Sequence, residues 1–135
     1  MRLAVVLFIG WIPVAAAQLQ APSGQNLADA ATFGAVATLA PLCGLRDEAW
    51  SSDLRRAATQ TATGSSATDD AALSHAPGGD LAAAALGYGD MEALEDFAAD
   101  TPAQTCASLR GNPALERADD AVNAFRRRRD GKPLG

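Results

Sequence analysis

Apolar and polar positions recur along this chain with the period of a helix, not of a strand. Trp50, Leu54, Ala57, Ala58 and Thr61 fall at i, i+4, i+7, i+8 and i+11, one stripe of a 3.6-residue repeat. Leu115, Ala118, Val122 and Phe125 follow the same rule nearer the C-terminus, with 3-4-3 spacing. Leu27, Ala30, Ala31, Gly34, Ala37 and Leu39 line one side of an earlier segment, with Phe33 and Val36 beside them. No stretch of any length alternates as a strand does, and no internal repeat is visible. The pattern predicts an all-α fold, a small bundle of short helices.

Capping residues place the helix ends. Asn26 can cap a first helix that runs to about Ala40, where Pro41 and Gly44 end or kink it. Asp47 caps a second helix; Arg46, Asp53, Arg55 and Arg56 lie off its apolar stripe or at its margin. The run "TATGSSATDDAALSHAPGG" is small, polar and rich in turn formers, and reads as a mobile loop over 61–79 with one helical turn at Asp69–Leu73. Asp80 then caps a short helix that stops at Gly87. The "GYGD" that follows reads as a turn, with Asp90 capping another helix through Ala99 that carries Met91, Leu94 and Phe97. The clearest start signal is "DTPAQTC". Thr101 is the cap, Pro102 stands at the first helical position, and Gln104 completes a T-x-x-Q capping box. Asn112 and Pro113 repeat the device for a last helix.

The N-terminus changes the picture of where this chain works. Arg2 precedes an apolar run from Leu3 to Ile12, broken by Pro13 and followed by Ala15-Ala16-Ala17. A basic head, an apolar core and a small-residue site are the parts of a secretory signal peptide, with cleavage expected after Ala17. The run is shorter than the roughly 20 residues that a spanning helix needs, and no later segment is apolar enough to span a membrane. The expected organisation is therefore a signal peptide over 1–17, a flexible leader over 18–25, one helical domain over 26–130 and a tail over 131–135, in the periplasm or secreted.

Export bears on the two cysteines. An oxidising compartment favours disulfides, and two thiols allow one intramolecular pairing, Cys43–Cys106. A redox pair would more often read CxxC, and a metal site would need further ligands beside the single histidine. Alanine supplies most of the apolar content; it favours helix but buries little area. A covalent staple closing so long a loop, worth about 4 kcal/mol, would then support a thin core.

Charge narrows the partners. The chain has 16 acidic and 11 basic residues, a net charge of −5. That balance argues against nucleic acid. The charges are also segregated. From Ala57 to Leu109 every charged residue is acidic, whereas the final helix ends in Arg126, Arg127, Arg128 and Arg129. Glu92, Glu95 and Asp96, with Asp90 and Asp100, form an acidic cluster lacking the EF-hand spacing. The arginine run complements a helix dipole and also suits an anionic lipid or acidic partner. Glu92, Glu95, Asp96 and the four arginines are thus the candidate interaction residues, and pairing between the two sets suggests self-association. His75, beside Ser74, lies in the predicted loop without the third group and rigid frame that a catalytic unit needs. No phosphate loop, haem motif or zinc spacing occurs, so the reading names no catalytic residue, cofactor or metal.

The arrangement "LCGLRDEAW … TCASLRG" behind a signal peptide resembles, in layout, small exported two-cysteine helical proteins of GC-rich proteobacteria. The resemblance carries no function with it. The acid-stress periplasmic chaperones are similar in being small and helical with one disulfide. The leading expectation is a non-enzymatic accessory or interaction protein whose partner is another protein. A chaperone-like stress protein is the second, and a small carboxylate-dependent cell-wall hydrolase the third.

Overall fold

The structure is a computed structural model that describes residues 22–131; the expected signal peptide, the start of the leader and the end of the tail lie outside these residues. Six helices and no strand occur among them: α1 Gly24–Leu42, α2 Glu48–Thr63, α3 Asp70–His75, α4 Gly79–Ala99, α5 Pro102–Arg110 and α6 Pro113–Arg129. The all-α expectation is met, and none of these helices is long and apolar enough to cross a membrane.

Local chemistry sets most ends. The side chains of Asp47, Asp69 and Thr101 each accept a hydrogen bond from the third residue beyond, and Asn112 from the second. Both halves of the Thr101–Gln104 capping box are made. The first helix starts before Asn26. Ser23 caps it, its Oγ accepting from the Asn26 N–H at 3.0 Å. It also runs through Pro41 to Leu42, and Cys43 is its C-cap. Gly44 then turns the chain at φ +68°, where a Cβ would be strained.

The largest departure concerns "GYGD". It is not a turn: α4 continues through Gly87, Tyr88 and Gly89 without a break, and Asp90 is an interior residue, not a cap. The reason is tertiary. A Cβ on Gly89 would overlap the Ala31 carbonyl oxygen, and one on Gly34 would overlap that of Leu86. Glycine at these two places lets α1 and α4 pack backbone to backbone, which repays its cost inside a helix. Over 61–79, Thr61–Thr63 complete α2, and the expected helical turn extends to His75 as α3.

Thr38 meets Asp90, and the end of α1 is joined through Cys43 to the helix that follows α4, so α1 and α4 run in the same direction. Asn26 reaches the Thr61 carbonyl while Thr38 meets Arg55, so α2 runs back along α1. On α6, Asp119, Arg126 and Arg128 meet Trp50, Asp53 and Gln60 in turn, and α2 and α6 run parallel. The main core gathers Val36, Ala37, Ala40, Trp50, Leu54, Leu109, Ala114, Leu115, Ala118 and Val122. Phe125 is fully buried. Among the described residues, ten of the nineteen buried apolar side chains are alanine, so the interior depends on close helix approach more than on bulky side chains. Thr61, expected on the apolar stripe of α2, is exposed, and Ala62 takes the buried place.

Cys43 and Cys106 form the disulfide, with Cα atoms 5.4 Å apart. It ties the end of α1 to the middle of α5.

Candidate functional site

Three carboxylates tie the helices together. Asp53 on α2 is buried, at 4% exposure. Its Oδ2 accepts from Arg126 Nε at 2.8 Å and its Oδ1 from Arg56 Nη1 at 3.0 Å, with Arg129 Nη1 at 3.3 Å from both oxygens. Burial pushes this carboxyl upward, but Arg126, Arg129 and Arg56 together outweigh burial and hold it below the ordinary aspartate value. Asp119 on α6 accepts from Arg46 Nε at 2.9 Å and Nη2 at 2.6 Å, and from the Trp50 indole at 3.0 Å. The Arg46 hydrogen bonds hold it below the usual range. The Arg46 guanidinium lies over the Trp50 ring, 5.6 Å from its centroid. On α4, Asp90 takes both oxygens to Arg55 Nη1, at 2.8 and 2.9 Å, and accepts from Thr38 Oγ1 at 2.7 Å. One side chain thereby joins α1, α2 and α4.

These ties account for most of the arginine run. Arg126 and Arg129 bind Asp53, and Arg128 donates to Gln60 Oε1. Arg127 forms no ion pair among the described residues. Three of the four expected interaction arginines are thus engaged inside the chain.

Glu92, Glu95 and Asp96 behave differently. All three are exposed on α4, and none forms an ion pair among the described residues. The structure does not bring the acidic cluster and the arginines together, since α4 and α6 make no contact among the described residues. Beside the carboxylates stand side chains that a folded interior would normally claim. Met91 is 63% exposed, Tyr88 62%, Leu94 52% and Leu81 50%. The inward side of α4 is filled by Ala82, Leu86, Gly89 and Ala93. Its outward side carries Leu81, Ala84, Tyr88, Met91, Glu95 and Ala98, all exposed, at alternating steps of three and four. Hydrogen bonding toward Glu92, then the charges of Glu92 and Glu95, push the Tyr88 phenol above its ordinary value. The aromatic ring and both carboxylates therefore share one surface.

That surface is invisible in a reading that breaks the helix at "GYGD". Met91 and Leu94 then look like the buried face of a short helix, and the seven-residue spacing from Leu81 to Tyr88 is lost. The signal was present in the sequence, but only for a continuous helix.

Other features offer less. His75 Nδ1 lies 2.7 Å from the Ala71 carbonyl, so that nitrogen carries the proton and cannot take one from Ser74. Ser74 Oγ likewise bonds the Ala71 carbonyl, at 2.9 Å. An open groove of about 470 Å³ between the start of α6 and the α1–α2 connection is lined by Arg46, Arg110, Asn112, Glu116 and Asp119, of which Arg46 and Asp119 satisfy each other. Among the described residues no cluster of three or more His, Cys, Asp or Glu is placed to hold a metal ion. Compared with protein-family profiles, with curated proteins and with solved structures, the chain finds no match in any of the three.

Proposed function

We propose that this chain is an exported helical accessory protein of the periplasm, acting through a surface and not by catalysis, and that the outward face of α4 is its working surface. The observation that carries the reading is the exposure of Leu81, Tyr88, Met91 and Leu94 along one helix. Each is only partly covered, and burying its exposed part would return about 1 kcal/mol or more. In a chain with so few large apolar residues, four on one outer face mark a place where something else lands. The N-terminal sequence and the Cys43–Cys106 bridge support export.

The test is a photo-crosslinking residue at position 91 of the oxidised chain in its own compartment, with the same residue at position 116 on α6 as the control. A protein adduct from position 91 that is absent from position 116 supports the reading. No adduct from 91, or equal adducts from both, refutes it.

A second reading, a chaperone-like stress protein, is favoured by the carboxylate ties. Asp53, Asp70 and Asp119 all titrate below the ordinary aspartate value through arginine contacts. Strong acid would release those ties and expose the alanine-lined interior. An apolar dye whose fluorescence stays flat down to about pH 2 would remove this reading.

A further inference from the structure

We propose that the outward face of α4 receives an amphipathic helix with a cationic flank, laid along the seam of Leu81, Ala84, Tyr88, Met91 and Glu95. The inference rests on the reading of α4 as the working surface and names what occupies it.

Spacing argues for a helix as the occupant. The exposed positions 81, 84, 88, 91, 95 and 98 repeat every seven residues in steps of three and four, the spacing at which one helix receives the side chains of another. The apolar members are Leu81, Ala84, Tyr88, Met91 and Ala98. Tyr88 and Met91 give broad, adaptable contact at the centre.

Gly87 supplies an independent argument. Gly34 and Gly89 are required by the close approach of α1 and α4, but a Cβ added at Gly87 would meet open space. Glycine inside a helix is destabilising relative to alanine. Nothing within the fold offsets that cost at Gly87, which borders the seam beside Tyr88 and Met91. A gap there admits the backbone or a large side chain of an approaching helix.

Charge selects the kind of helix. Glu92 flanks the seam, Glu95 lies in it, and Asp96 stands one residue further. None has a cation among the described residues, and α4 contains no basic residue. The Tyr88 ring beside Glu92 and Glu95 offers a lysine or arginine both a π face and carboxylates. A second copy docking through its own α4 would add no cation, since none occurs from Ala57 to Leu109. The arginines of α6 are mostly held by Asp53 and Gln60.

The probe is a synthetic helix of leucine at the two seam positions of a seven-residue repeat and lysine elsewhere, titrated calorimetrically into the oxidised full chain. Three comparison peptides accompany it: the same residues scrambled, and the repeat with glutamine or with glutamate in place of lysine. The lysine repeat is expected to bind one to one, about tenfold or more above each comparison peptide, and less tightly in about 0.5 M NaCl. Tyr88→Ser with Met91→Ser is expected to cost about tenfold, and Asp120→Asn on α6 nothing. Gly87→Gln is expected to raise Tm while weakening binding. Equal binding of the scrambled peptide, or indifference to the Tyr88, Met91 or Gly87 variants, overturns the proposal. Equal binding of the glutamine or glutamate repeat overturns the cationic partner alone, as does failure of every peptide while position 91 still gives its specific adduct. Failure of both experiments removes the working surface itself. A dimer in sedimentation that Met91→Ser dissolves assigns the face to a second copy. Binding that appears only after residues 1–17 are removed assigns it to the chain's own N-terminal signal segment. Either result overturns the proposal.

Discussion

Gly89 of α4 lies against the backbone of Ala31 of α1 so closely that a methyl group at position 89 would occupy the space of the Ala31 carbonyl oxygen. The two backbones meet there without side chains between them. The rigid frame carries Asp90 to Thr38 and Arg55 on one side of α4 and leaves Tyr88 and Met91 outward on the other.

The glycines of α4 are therefore expected to respond in opposite directions. Gly89→Ala is expected to lose about 2–3 kcal/mol by overpacking a contact that has only backbone to displace. Gly87→Ala, two residues away, is expected to gain about 0.5–1 kcal/mol from helix propensity alone. Urea midpoints of the two variants, with an unchanged slope, check both.

Removing the bridge should be costly for a core this thin. Cys43→Ser with Cys106→Ser is expected to lower stability by about 4 kcal/mol, because the unfolded chain regains the entropy of a 63-residue separation. Chemical unfolding of oxidised and reduced protein measures the same quantity without mutation, and the two differences should agree.

Asp53 is expected to matter more than any other charged residue. Asp53→Ala leaves Arg126, Arg129 and Arg56 without their shared partner, a loss of about 2 kcal/mol; the arginines remain partly exposed and can rehydrate, which limits the damage. Glu116→Ala, on an exposed side chain, is the control and is expected to change stability by less than about 0.5 kcal/mol.

Acid should act through the same groups. The folded chain holds Asp53, Asp70 and Asp119 below their ordinary value, so it binds fewer protons than the unfolded chain near that value. Their contribution is complete above the unfolded pKa of about 3.9 and is lost as pH falls through the lower folded values. Thermal melts should thus be level with respect to these groups at neutral pH and fall steeply below about pH 4. Asp53→Ala should flatten that fall.

Local chemistry was legible in the sequence. Asp47, Thr101 and Asn112 cap helices because the required oxygen stands next to the required N–H, and no distant residue need be known. The buried row of Leu115, Ala118, Val122 and Phe125 was legible for the same reason, as one uninterrupted period. The pairing of Cys43 with Cys106 followed from there being only two thiols. What the sequence hid depends on a second helix. Gly89 looks like a turn former until Ala31 is placed against it. Asp90 looks like a cap until Arg55 arrives from thirty-five residues away. Asp53 reads as a marginal surface charge, and only the return of α6 buries it. The outward face of α4 shares this difficulty, because its spacing becomes visible only once the glycines are known to lie within one helix.

The position of the Cys43–Cys106 bond also governs what a protease could do to this protein. The polypeptide between those residues contains α2, α3 and α4, and therefore the linking segment from Gly64 to Asp69. A nick in that segment would yield two fragments that stay tethered by sulfur, with α4 still clamped to α1. Cleavage there would show as a change in mobility only after reduction, and the lifetime of the protein would be set by its thiol chemistry as much as by exposed peptide bonds.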